Sequence, residues 1–288
     1  MILKSTLPFV AIALFLLALL VRNKALLKRK RLRKEPGECV FPLEFEKIAG
    51  AFGWIFIAGY CFFEASDYIA QGEHFDASLA FIFLVFSLLL AFLLIKTREK
   101  EDLFFTITKV ALITSIFYFP ISEFPFLEES LIYITAKITA TMLNFFNPGS
   151  VYMDCPPSFI YSTFTSFDVE IVLACTAIQS MALFIGLIFG VKAPMRRKLK
   201  AFFVSVPVIY GLNILRNVFV VTAYFGQWFG PALESFEIAH GVIARVGAMI
   251  ALIAIAYMVF MILPEALDLV EDFFQFIFKI KTNKRNKK

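Results

Sequence analysis

Histidine, cysteine and charge are all scarce in this sequence. Its 288 residues include two His and four Cys. His74 and His240 are too far apart in sequence to suggest a ligand cluster, so neither a metal nor another cofactor is expected. Charged residues make up 18% of the chain and the hydrophobic set 60%, with a mean hydropathy of +0.79. That balance excludes a soluble globular domain, in which apolar content runs at about 45 to 50%. Glycine-rich phosphate loops, internal repeats and linkers are missing too, which leaves one integral membrane domain over residues 1–288.

What the sequence has instead is apolar runs, near 5–21, 48–63, 79–95, 103–120, 171–190, 202–223 and 238–263. Each approaches the length at which a helix crosses a hydrocarbon core of about 30 Å. The expectation is an all-α polytopic protein with about seven transmembrane helices. A shorter segment, 131–146, carries Lys137; it is expected at the outer face or as a re-entrant hairpin, and would be an eighth span if it crossed.

Lysine and arginine avoid the translocated side of a membrane. Here eight lie between Arg22 and Lys34, three between Lys96 and Lys100, five between Lys192 and Lys200, and six after Leu263. The connections 64–78, 121–130, 147–170 and 224–237 contain acids but no Lys or Arg. Those four connections are therefore assigned outside, which puts the N-terminus outside and the C-terminus inside, with 264–288 a cytoplasmic basic tail. The first run has one Lys before it and eight basic residues after it, the charge order of an uncleaved anchor rather than a signal peptide. The basic cluster beside it sets topology and touches anionic lipid, and no nucleic-acid partner is expected.

Of the 28 cationic residues, Lys109, Lys137, Arg216 and Arg245 fall outside the inner groups and away from span edges. Lys109 can snorkel inward along its stem, and Lys137 belongs to the short segment. Arg216 and Arg245 lie inside spans that contain no Asp or Glu, where an unpaired guanidinium is costly. On the assigned topology both sit in the outer half of the membrane, level with Cys175, five residues past Glu170. A thiol beside guanidinium groups is favoured as the nucleophilic thiolate. The same donors can hold the oxyanion formed when it attacks a carbonyl. His240, at the outer start of the last span, is an alternative acid or base. Gln179, read as one turn below Cys175 on the same helix face, and Asn213 are the substrate-orienting positions.

The run Ala174-Cys175-Thr176-Ala177-Ile178-Gln179-Ser180 resembles the cysteine motif of the archaeosortase branch of the exosortase/archaeosortase family. Asn213-Ile214-Leu215-Arg216-Asn217 resembles the second motif of that family, and His240-Gly241-Val242-Ile243-Ala244-Arg245-Val246-Gly247 the third. The resemblance covers most of the region from Cys155 to Leu263, so 151–263 is the expected catalytic core and 1–150 the N-terminal helices. It implies an archaeal, membrane-bound cysteine protease or transpeptidase with its active site at the outer face. Such an enzyme cleaves surface proteins at a C-terminal signal built of a short motif, a transmembrane helix and a basic tail, and joins the product to a membrane lipid. It further implies that Cys175 is the nucleophile and Arg216 a transition-state stabiliser. The third role falls to Arg245 or His240, because exosortases use His there and the archaeosortase branch Arg. Leu173, Ala177 and Gln179 replace the Glu, Gly and Arg of the bacterial motif, which points away from bacterial substrates.

Arg245 is the expected third residue, since it lies deeper than the helix start, where a charge has no passive role. In a regular helix it would stand about 140° from His240, on another face. The competing function is a binder or flippase-like transporter of an anionic lipid or solute, in which the two arginines hold phosphate or carboxylate and Cys175 only packs. Cys155, also outside, is expected not to be stably paired with Cys175, because a disulfide would consume the nucleophile.

Overall fold

The computed structural model describes residues 2–32, 45–97, 100–154 and 158–285. Cys155 falls outside them, and so does the expectation about its pairing. The chain is a helical, polytopic membrane protein. Among the described residues, six segments are long and apolar enough to cross a bilayer: Leu3–Lys24, Phe45–Gln71, His74–Lys96, Glu101–Glu123, Met195–Phe225 and Ala232–Ile262. The chain divides into two compact units, residues 1–119 with 269–288, and residues 120–268.

The first unit is built from α1 (Ile2–Leu32), α2 (Phe45–Gln71), α3 (His74–Lys96) and most of α4 (Glu101–Glu123). With lipid as apolar as Leu, such helices associate through close packing and buried hydrogen bonds, which favours small residues where they meet. Gly53 shows this: a Cβ there would lie 2.6 Å from the Phe15 ring. Phe15 in turn packs on Trp54 with ring centroids 5.1 Å apart. Trp54 Nε1–H donates to Thr108 Oγ1 at 3.1 Å, satisfying two buried polar groups together. Arg22 pairs with Asp102 and Lys47 with Glu101, so cations near the helix ends find acids on α4. The expected basic tail is helical as far as Arg285, in α10 (Pro264–Arg285). Phe273 and Phe276 of that helix meet Phe86 and Phe104 edge to face.

The second unit holds α5 (Pro125–Phe146), strands β1 (Val151–Met153), β2 (Phe159–Ser162) and β3 (Asp168–Glu170), then α6 (Ile178–Gly190), α7 (Met195–Phe225), α8 (Ala232–Phe236) and α9 (Ala244–Ile262). Two features depart from the sequence reading. The region 147–170, expected only as an outer connection, carries a three-stranded antiparallel sheet in the order β1-β2-β3. Its aromatic and β-branched residues fit a half-buried pleated surface. Asn144 on α5 fixes the sheet by donating to the Val151 carbonyl at 2.9 Å and accepting from the Val151 N–H at 3.1 Å.

The run expected as a span at 171–190 is helical only over the 13 residues of α6. At 1.5 Å per residue that is about 20 Å, short of a hydrocarbon core. The residues before it are used for a strand end and a turn. The core of this unit joins Ala136, Ala140 and Leu143 of α5 to Val151, Ile160, Ile171 and Val221, with Cys175 packed against it.

Candidate functional site

Cys175 stands on a strand–turn–helix connection. β3 ends at Glu170, Ile171 is buried with its N–H on the Ser158 carbonyl at 2.9 Å, and a 3-10 turn runs over Leu173–Thr176. The Cys175 N–H donates to the Val172 carbonyl at 2.8 Å. Thr176 Oγ1 donates to the Leu173 carbonyl at 2.7 Å, tightening the turn. Ala177 then takes a left-handed conformation, φ 57° and ψ 18°, before α6 begins at Ile178. A residue with a Cβ in that region costs about 1 to 2 kcal/mol, which the surrounding turn must offset.

This break corrects one premise drawn from the sequence. Cys175 and Gln179 do not lie one turn apart on a single helix, because Ala177 separates the turn from α6. Gln179 is not among the residues lining the cavity at Cys175. Asn213 is engaged differently from expectation: its amide Nδ2 donates to the Cys175 carbonyl oxygen at 2.6 Å.

Asn217, one turn further along α7, donates to the same oxygen at 2.9 Å. It also accepts from Arg216 Nη1 at 3.4 Å and is 3% exposed. One side chain therefore links the backbone of Cys175 to the guanidinium of Arg216. Asn217 is not among the site residues expected from the sequence. Its signal was a second amide four residues after Asn213, which puts both on one helix face. Asn217→Asp would turn the donor facing the Cys175 carbonyl into an acceptor, leaving a buried acceptor pair at a cost of about 1 to 3 kcal/mol. The expected result is a lowered unfolding midpoint in detergent; an unchanged midpoint would show that Asn217 does not hold the turn.

Cys175 is a free thiol and half-buried. It lines a small cavity, partly open to its surroundings, with Glu170, Arg216, Asn217, Phe236 and His240. The structure thus brings Cys175, Arg216 and His240 to one space, while Arg245 does not line it. His240 stacks on Phe236, with ring centroids 5.0 Å apart and planes within 7°. It sits in a π-helical segment, Glu237–Ile243, between α8 and α9. The Ala244 N–H bonds to the Ala239 carbonyl, five residues back. Under i→i+5 bonding, positions five apart approach the same face, so the 140° separation of a regular helix does not describe His240 and Arg245. Arg245 occupies the first turn of α9.

The cavity thus holds a thiol, a guanidinium bonded to Asn217 and an imidazole. A family model described as transmembrane exosortase (Exosortase_EpsH) matches residues 4–260. Archaeosortase A of Haloferax volcanii is 37% identical over 119 residues, 36% of this chain and 39% of the relative. Archaeosortase A of Natronomonas pharaonis is 32% identical over 196 residues, 60% of this chain and 62% of that protein. The chain thus covers less than two thirds of the length of either. No solved structure matches it at a significant level.

Proposed function

The chain belongs to the transmembrane exosortase family, and on that premise we propose that it is a membrane cysteine peptidase or transpeptidase that processes surface proteins at a C-terminal signal. The observation that carries the reading is the shared cavity of Cys175, Arg216 and His240. In the proposed reaction the Cys175 thiolate attacks the carbonyl carbon of the scissile peptide bond. The carbonyl electron pair moves to oxygen, where the Arg216 guanidinium donates to the oxyanion. Collapse of this intermediate breaks the C–N bond and leaves a thioester on Cys175. The departing amine takes up the proton that the thiol gave away, and His240 is placed to carry it. A nucleophilic group of a membrane lipid then attacks the thioester carbonyl, freeing the thiol and anchoring the product.

Arg245 is the second cation of the proposed site. Arg245 lies five residues beyond His240, in the first turn of α9 and outside the cavity lining. Its support is the resemblance of the third motif to the archaeosortase branch, together with the cost of a guanidinium inside an apolar helix. Arginine stays protonated and cannot act as the base, so Arg245 would stabilise charge while His240 moves the proton.

Iodoacetamide provides the test. In a Cys155→Ser background at neutral pH, the reagent is expected to modify Cys175 before Cys61 and to stop processing in step with modification. Complete alkylation of Cys175 with processing intact would overturn the enzyme reading and leave the anionic-lipid binder as its replacement.

A further inference from the structure

We propose that the outer edge of β3 is the docking rail for substrate, which adds to the sheet there as an extended, non-acidic peptide segment and thereby lays its scissile bond beside Cys175. The inference rests on the reading of Cys175 as the nucleophile.

Ile171 N–H bonds to the Ser158 carbonyl at 2.9 Å, and Ser162 N–H to the Phe167 carbonyl at 3.0 Å. Residue pairs along an antiparallel ladder alternate between hydrogen-bonded and non-hydrogen-bonded. With Ile160 opposite Val169, the bonded positions are 167, 169 and 171. The N–H and C=O groups of Asp168 and Glu170 therefore point away from β2. β3 is the last strand of the sheet, and among the described residues no strand pairs with that side. Both residues are exposed.

The cavity supplies a second, independent observation. It touches Val169, Glu170 and Ile171 as well as Cys175. Successive side chains of a strand point to opposite faces, so a space that reaches three consecutive residues runs along the strand's edge. The unpaired edge and the thiol thus open into one space.

An extended peptide is the occupant that fits these features. Added strands take their affinity from main-chain hydrogen bonds and their specificity from pockets under alternate side chains. Asp168 and Glu170 flank the rail with negative charge, and like charges directly across a sheet destabilise pairing, so the docked residues are uncharged or basic. A substrate gripped mainly through its backbone leaves only a few side chains to be read.

Proline at position 170 deletes the outward N–H while sparing the ladder to β2, a place where edge strands tolerate it. Glu170→Ala removes the same carboxylate but keeps the N–H, and is the reference. The readout is cleavage of a surface protein that the wild-type chain processes, in membranes holding the full chain. Glu170→Pro is expected to cleave at least roughly tenfold more slowly than Glu170→Ala, the scale of one lost hydrogen bond. Iodoacetamide should modify Cys175 at equal rates in the two variants.

Equal cleavage by the two variants would overturn the rail. If Glu170→Pro does not fold or loses thiol reactivity, amide exchange decides instead. In Cys175→Ala protein, adding the C-terminal segment of that surface protein should slow exchange at Glu170 about tenfold or more. No slowing would count against the rail. Continued cleavage by Cys175→Ala, by contrast, would remove the nucleophile assignment whatever the exchange result.

Discussion

Cys175→Ala is expected to leave the C-terminal signal of a substrate uncut while the variant accumulates in the membrane at the wild-type level. The two halves of this result have separate causes. The structural cost is small because Asn213 and Asn217 grip the Cys175 backbone carbonyl, which alanine retains. The side chain itself is half-buried and behaves as a small hydrophobe in packing. The catalytic cost is large because, among the described residues, no other thiol lines the cavity, and losing a covalent nucleophile costs upwards of about a thousandfold. Cys175→Ser should fare nearly as badly, since a hydroxyl is far less ionised than a thiol at neutral pH. The assay is the ratio of precursor to mature surface protein after pulse labelling, with the variant's abundance measured alongside. Normal maturation in Cys175→Ala would remove the thioester route.

The helical, membrane-spanning character was legible because hydropathy and span length report it directly, and the long runs at α2, α3 and α7 reappear as helices. Arg216 drew attention for the same reason in reverse, as a cation that the apolar run could not accommodate without a purpose. Less legible was everything that depends on local backbone geometry. Strands of three or four residues are too short to display an alternating pattern, so β1 to β3 read as loop. Ala177 carries no turn signal, yet its left-handed conformation ends the Cys175 turn and delays α6. The π segment at His240 cannot be told from α-helix by composition, so a regular helical wheel does not describe the placing of His240 relative to Arg245. Asn217 was hidden by its neighbour: next to Arg216 it reads as motif filler, whereas its amide is what joins the arginine to the cysteine turn.

Arg245→Lys is expected to lower processing by roughly a hundredfold or more, the scale of a lost oxyanion donor. The substitution keeps the positive charge, so a defect would mean that the planar fork of donors, not charge alone, is what the site needs. His240→Ala is expected to retain substantial processing with a changed pH dependence. His240 lines the cavity and can pass the proton from thiol to amine, but the oxyanion donor Arg216 remains when the imidazole is removed. Removing the imidazole should therefore slow the proton transfer without stopping the reaction. Both variants should keep Arg216 bonded to Asn217, so iodoacetamide still reports an intact Cys175 turn in each. The opposite pattern, with Arg245→Lys active and His240→Ala dead, would assign the third position to a histidine proton shuttle and leave Arg245 a structural charge at the start of α9.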